Sequence, residues 1–365
     1  MPGQFFNITR QNQALEAEIN EAINKVVKSG HYILGENVAA LEKEFAAENK
    51  TKLAIGVASG TDALHLALLA CGVKEGDEVI TSPFTFVATA EAIVYCGAKP
   101  VFADIDPKTF NIDASQIGAR VTGKTKAILP VHLFGQACEM DKIMAIAKQH
   151  NLKVVEDCAQ AFGAEFNGQP VGSFGDAGAH SFFPTKNLGC FGDGGMISTN
   201  DEALANELKV LRAHGSRQTY HHDIIGFNSR LDELQAAILR IKLPHVKDYI
   251  AARRKNAAAY FAQLKNLAGA TPPFEHPSGK HTYNQFTLRS ANRDNVVAAL
   301  KGQNIGAMIY YPLSLHLQKA FDCLGYKKGD FPVAEAAQTE VFSLPVYPEL
   351  KPEELSTVCG ALLSC

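Results

Sequence analysis

The sequence predicts an α/β protein: a large domain with a mostly parallel central sheet between helices, followed by a smaller C-terminal α/β domain. Three observations lead there. Short β-rich runs alternate with helical patterns along the first part of the chain, which is the order of βαβ units. At 365 residues and 46% hydrophobic content the chain can bury a large core, and its length favours two domains over one. After Ser229 the pattern changes to long helices and then a weaker β/α mixture, which puts the division at residues 1–245 and 246–365.

The expected strands are Leu53–Val57, Glu78–Thr81, Pro100–Ala103, Ala127–Val131, Lys153–Val155, Ala177–Phe183 and Met196–Thr199. Helical patterns at Thr61–Cys71, Ala88–Tyr95 and Met140–His150 separate several of them. Two long helices follow, Leu231–Leu243, stopped by Pro244, and Asp248–Leu267, before the turn-rich run Gly269-Ala270-Thr271-Pro272-Pro273. Ligands of such sheets bind at the carboxyl ends of the strands.

Composition excludes several function classes. A formal charge of −3 without a Lys/Arg-rich run gives nucleic acid or an anionic membrane no electrostatic purchase. No stretch approaches the length of apolar residues that crosses a bilayer. The start Met1-Pro2-Gly3-Gln4-Phe5-Phe6 lacks the charged and apolar regions of a signal peptide, so the sequons at Asn7 and Asn49 read as chance matches. The eight cysteines (71, 96, 138, 158, 190, 323, 359 and 365) are scattered, without a C-x-x-C pair or zinc spacing. They read as reduced thiols of a cytoplasmic protein, and no metal site is expected.

Four segments carry the chemistry. Gly118-Ala119-Arg120-Val121-Thr122-Gly123-Lys124-Thr125 matches the P-loop pattern, but a helical run precedes it and a strand follows. That is the reverse of what aims amides at a phosphate, so it reads as a helix-to-strand turn. A better anion site is Ala58-Ser59-Gly60-Thr61-Asp62, where the first strand ends and a helix starts; taken alone it is equally a good helix cap. Asp157 directly follows an apolar strand, where a carboxylate needs a cation or donors, or else caps the next helix. Lys186 stands between an aromatic run and a loop with four glycines; most lysines are solvated, but a desolvated one can lose its proton and act as a nucleophile.

Together these parts fit pyridoxal phosphate. That cofactor needs a lysine for its covalent link, an anion beside the ring nitrogen, and donors for its phosphate. Lys186, Asp157 and Gly60-Thr61 supply all three, with Ser181 a further phosphate donor.

At this point the sequence resembles the DegT/DnrJ/EryC/StrS sugar aminotransferases, a group of fold type I pyridoxal-phosphate enzymes. The matching segments are A-S-G-T-D-A-L-H-L-A-L from Ala58, S-P-F-T-F-V-A-T-A-E-A-I from Ser82, V-V-E-D-C-A-Q-A-F-G-A from Val154, S-F-F-P-T-K-N-L-G-C-F-G-D-G-G from Ser181, and G-F-N-S-R-L-D-E-L-Q-A-A-I-L from Gly226. The resemblance implies that Lys186 binds the cofactor and moves the substrate proton, that Asp157 pairs with the ring nitrogen, and that Gln160 lies near the phenolic oxygen. Phe86 corresponds to the aromatic residue stacked on the ring, although an aromatic in a strand is ordinarily core. Gly60, Thr61 and Ser181 correspond to phosphate contacts. Asn228 corresponds to a residue that reaches the neighbouring subunit's phosphate, implying a homodimer with shared sites; by itself it reads as a helix-start residue.

The implied reaction moves an amino group from glutamate to a nucleotide-linked keto-sugar. Candidate substrate residues are His214, Tyr220, His221, Arg230, His281, Tyr310 and Tyr311, with His222 in the same stretch. An isolated histidine is more often a surface group, whereas the fork of Arg230 suits a diphosphate or a uronic carboxylate. Relatives with Tyr-His-His, H-x-Y-N-Q and Y-Y-P-x-x-L-H-L-Q act at carbon 3, and many carbon-4 relatives have histidine where Tyr310 stands. The expectation is therefore carbon 3, with carbon 4 as the alternative. A dehydratase of the same fold would have histidine in place of Lys186, and a non-catalytic regulator would not need Lys186, Asp157 and Ser181 together.

Overall fold

The computed structural model describes residues 4–218 and 220–365; Met1, Pro2 and Gly3, part of the N-terminal reading above, lie outside the described residues. Seven strands form the central sheet in the order Leu53–Val57, Gly195–Thr199, Ala177–Ser181, Lys153–Asp157, Thr125–Leu129, Glu78–Thr81 and Lys99–Phe102. Pairing is parallel except at Gly195–Thr199, which runs antiparallel to both neighbours. The first two strands and the helices Ala88–Tyr95 and Met140–His150 have the expected bounds. Elsewhere the ends move. Asp157 is the last residue of its strand rather than the one after it, and the strand leading to Lys186 stops at Ser181.

Consecutive strand residues feed opposite faces, as the pleat requires. Val79, Ala127, Leu129 and Val155 pack under the helices Gly60–Ala70, Ala88–Tyr95 and Glu202–Leu211, whereas Ile80, Ile128 and Val154 pack under Met140–His150. The P-loop look-alike is a 3-10 turn at Gly118–Arg120 between helix Ala114–Ile117 and strand Thr125–Leu129, so no helix N-terminus follows its glycines. Asn49 is only 2% exposed, which removes its sequon from reach.

The helix expected from Leu231 runs over Glu233–Lys242, and Val246–Gln263 follows it. Beyond lies an apolar cluster of its own, with Tyr260, Phe286, Leu300, Phe342 and Val358 around the antiparallel pair Phe286–Arg289 and Val341–Leu344. Contacts also cross residue 245: Val246 and Ile250 pack with Phe45 and Phe182, and Leu315 and Phe331 pack with Phe84 and Phe102. Among the described residues no helix is long and apolar enough to cross a membrane. All eight cysteines are free thiols.

Candidate active site

Register brings the first elements of the site together. Val57, Gly195 and Ser181 are opposite one another across three neighbouring strands, at the sheet edge where the parallel strands end. The chain leaves that edge through Ser59, whose extended backbone and side-chain oxygen cap the helix Gly60–Ala70 by accepting from the Asp62 amide at 3.1 Å. A Cβ on Gly60 would lie 2.6 Å from the Ser181 Cβ, and one on Gly195 would lie 2.3 Å from the Ser59 carbonyl oxygen. Only glycine allows this approach, which brings the first residue of the helix Gly60–Ala70 against Ser181. Neither the Gly60 nor the Thr61 amide meets a protein acceptor among the described residues. From the far side, Ser229 donates to Asp62 at 2.8 Å and accepts from the Ala58 amide at 3.2 Å.

Asp157 is 5% exposed. One of its oxygens accepts from the Thr89 hydroxyl at 2.8 Å and the other from the Ala159 amide at 3.1 Å, so it does act on the turn that follows its strand. Burial raises its pKa above the ordinary carboxylate value, against the pull of those two donors and of Lys186. Lys186 is held in a loop closed on itself, with Phe182 N–H donating to Gly194, Cys190 N–H to Phe182 and Lys186 N–H to Phe183. Burial brings its ammonium down from 10.5 to about 8, and Asp157 resists that change. A buried carboxylate wanting a cation thus lies within electrostatic reach of an amine whose proton is held less tightly than that of a solvated lysine.

Gln160 is clamped by accepting from the Phe134 amide at 2.7 Å and donating to the Tyr311 hydroxyl at 2.9 Å. Burial pushes the Tyr311 phenol well above its usual range, so it stays protonated. Phe86 is not a core residue of a strand. It sits in the loop after Glu78–Thr81, 56% exposed, with its ring 6.2 Å from that of Tyr311. An uncovered aromatic face there is free to cover a flat ligand.

The remaining candidates separate. Tyr310 neighbours Tyr311, with ring centroids 5.8 Å apart. Arg230 is half-buried, and its Nε is enclosed without a hydrogen-bond partner among the described residues. Asn228 is exposed and bridges Ala213; the helix that follows is capped at Asp232, so Asn228 is not its start. His214, Tyr220, His221 and His222 lie on an exposed hairpin, with Tyr220 91% exposed and His222 bonded to the His214 carbonyl. His281 is buried, stacked on Tyr283 at 4.1 Å, and accepts from the Tyr283 amide. Burial lowers its pKa to about 3, and these are the surroundings of a packing residue rather than of a group held out to a substrate.

Sequence reading missed Thr89 and Ser229. Both lie in the quoted segments: Thr89 is the second residue of the helix Ala88–Tyr95, and Ser229 lies three residues before the cap Asp232. It also missed a buried group of His132, Glu156 and Cys158, whose polar atoms lie within 4.8 Å of one another. Glu156 accepts from His132 Nε2 at 3.0 Å and from the amides of Gly172, Phe174 and Gly175, while His132 Nδ1 accepts from the Cys138 amide. With His132 Nδ1 accepting, its Nε2 is the donor to Glu156, and four donors in all occupy the two carboxylate oxygens.

Along nearly its whole length the chain is similar to known proteins. The model of the DegT/DnrJ/EryC1/StrS aminotransferase family matches residues 13–363. A pleiotropic regulatory protein of Geobacillus stearothermophilus is 52% identical over 350 residues, which is 95% of this chain and 94% of that protein. A UDP-N-acetyl-3-dehydro-alpha-D-glucosamine 3-aminotransferase of Acidithiobacillus ferrooxidans is 48% identical over 349 residues, 95% of this chain and 94% of that one. The crystal structure of S. venezuelae DesV in complex with a ketimine intermediate superposes with a TM-score of 0.98 at 39% identity, covering 100% of this chain and 98% of that chain. The chain belongs to the DegT/DnrJ/EryC1/StrS aminotransferase family.

Proposed function

We propose that this protein transfers an amino group from glutamate to a nucleotide-linked sugar bearing a ketone at carbon 3, with pyridoxal phosphate as its cofactor. The observation that carries the reading is the pairing of Lys186, poised to lose its proton near pH 8, with the buried carboxylate Asp157 at the strand ends.

The residues present fit that cofactor. Asp157 is a buried carboxylate whose raised pKa a ring cation would bring down, so that it would be held ionised against the ring nitrogen. The Gly60 and Thr61 amides, at a helix N-terminus packed against Ser181, and the Ser181 hydroxyl are the groups that would hold its phosphate. Phe86 offers an open ring face, and Gln160 is already oriented by Phe134 and Tyr311. When bound, the cofactor supplies an electron sink for the pair left behind as a proton leaves the donor's α-carbon.

The protein's own work is proton handling and placement. Lys186, when not bonded to the cofactor, would take the α-proton and return it to the carbon on the far side of the amino nitrogen, which requires a neutral amine at working pH. Arg230, whose buried Nε has no partner among the described residues, is the group to meet an anion of the sugar nucleotide or its uronic carboxylate. Tyr310 and Tyr311 border the acceptor. The name of the Acidithiobacillus relative supports carbon 3, as does tyrosine at position 310.

Exposed apolar groups on the hairpin segment, Tyr220 and Ile225 at 91% each, support a homodimer in which that segment and Asn228 serve the neighbouring site. Residues 1–245 then form the cofactor-holding domain and residues 246–365 the smaller one. Eight free thiols support a cytoplasmic setting.

The Geobacillus relative's name favours a second reading, a regulatory homologue without turnover. Absorbance separates the two. A protein purified with the yellow cofactor and bleached by glutamate supports the enzyme, and one that binds no pyridoxal phosphate ends this proposal. A panel of dTDP-, UDP- and GDP-linked 3-keto and 4-keto sugars, read by mass spectrometry, then tests the acceptor; amination confined to 4-keto sugars would overturn carbon 3.

A further inference from the structure

Lys242 is the last residue of the helix Glu233–Lys242 and is 1% exposed, yet no carboxylate lies within salt-bridge distance of it among the described residues. Its ammonium donates to the Gly189 carbonyl at 2.9 Å and lies 4.7 Å from the centre of the Phe191 ring. A buried cation with one carbonyl and one ring face for company is costly. Burial accordingly lowers its pKa to about 8, with only the Cys190 thiol and the Glu349 carboxylate opposing. Such a cost is kept where the group holds something in place.

What it holds is the loop that carries Lys186. Gly189 is wedged against the residues just before the lysine: a Cβ there would lie 2.5 Å from the Pro184 carbonyl oxygen and 3.0 Å from that of Phe183. Lys186 itself hangs on the same Phe183 carbonyl through its amide at 2.9 Å. About two turns back along the helix, Gln235 grips Phe191 from both sides, accepting from its amide at 2.8 Å and donating to its carbonyl at 3.4 Å. The chain entering this helix carries Ser229, which is bonded to Asp62 and Ala58 behind the glycine cradle. One rigid element therefore registers the lysine loop against the anion cradle.

We propose that Lys242 is a positioning residue for the transfer reaction: through Gly189 and Phe191 its ammonium fixes the lysine loop and so sets where the Lys186 amine meets the cofactor. This rests on the aminotransferase reading of the same site.

The test uses the holoenzyme and the variants Lys242→Met, Lys242→Arg and Phe191→Leu. In Lys242→Met the rate of cofactor bleaching by glutamate should fall about tenfold or more at a nearly unchanged KM, the signature of a displaced reacting group. The midpoint of the pH titration of the lysine-bound cofactor's absorbance should move by about half a unit or more, because the surroundings of the Lys186 nitrogen change. Lys242→Arg, which restores the donor to Gly189, should recover most of both. A folded Lys242→Met protein with the wild-type rate and midpoint overturns the proposal, as does a loss that arginine does not repair. If Lys242→Met does not fold, Phe191→Leu removes the ring beneath the ammonium and must shift the same midpoint; an unmoved midpoint there overturns it as well. A wild-type protein without the cofactor's absorbance would instead be a failure of the proposed function.

Discussion

Asp157 and Lys186 act on each other's proton: the buried carboxylate keeps the ammonium from falling further below about 8, and the ammonium keeps the carboxylate from rising further. In protein stripped of cofactor, acylation of Lys186 followed by mass spectrometry should show a midpoint near 8, the amine being protonated and inert below it. Asp157→Asn removes the negative charge that opposes deprotonation of Lys186, so the midpoint should move down. An upward shift, or a midpoint near that of surface lysines at about 10.4, contradicts the arrangement.

Lys186→Ala should leave a folded protein that binds the cofactor without a covalent link and transfers no amino group. Product formation within about a hundredfold of wild type would remove Lys186 from its assigned role.

Gly60→Ala places a carbon 2.6 Å from the Ser181 Cβ, so one wall of the cradle must shift. The expected outcome is about tenfold weaker cofactor binding, near 1.4 kcal/mol, measured by fluorescence titration of the apoprotein. Unaltered affinity would show that no phosphate uses this corner.

Far from the cradle, Arg10 reaches Glu354 through two side-chain hydrogen bonds of 2.7 and 2.6 Å and lowers the Glu354 pKa from 4.5 to about 2. A depressed carboxylate contributes stability that is full above pH 4.5 and is lost as pH falls toward 2. Arg10→Met should therefore cost about 1 kcal/mol at neutral pH, solvent screening of a partly exposed pair allowed for, and progressively less at acid pH, read from urea midpoints. An equal loss at both ends would refute the linkage.

The saturated Glu156 predicts indifference to metals. Prolonged chelation with EDTA should change neither Tm nor turnover, and Glu156→Gln, which orphans buried donors, should cost about 3 kcal/mol or more. Recovery of a chelated protein by added zinc would contradict this assignment.

Local chemistry made much of this molecule legible in its sequence. Strand and helix periods gave the order of elements, because apolar spacing reports which face is buried wherever a segment is long enough to repeat. Gly60, Asp157, Ser181 and Lys186 could be found because each interrupts an apolar pattern at or just beyond the end of a strand. The helix Glu36–Glu48 could not be assigned, and its cap explains why: Glu233, nearly two hundred residues away, accepts from the amides of Asn37 and Val38.

The same division separates the reaction from its setting. By itself the sequence determined the α/β class, the cradle, the carboxylate and the lysine, all of which are read from neighbours along the chain. Only the tertiary structure decided that Phe86 is an open face, that His281 belongs to the interior, that Thr89 holds Asp157, and that Lys242 grips the lysine loop. Those relations depend on contacts between distant segments, which set the burial of a single polar or aromatic side chain in a loop or at an element's end, where no repeating pattern reports it.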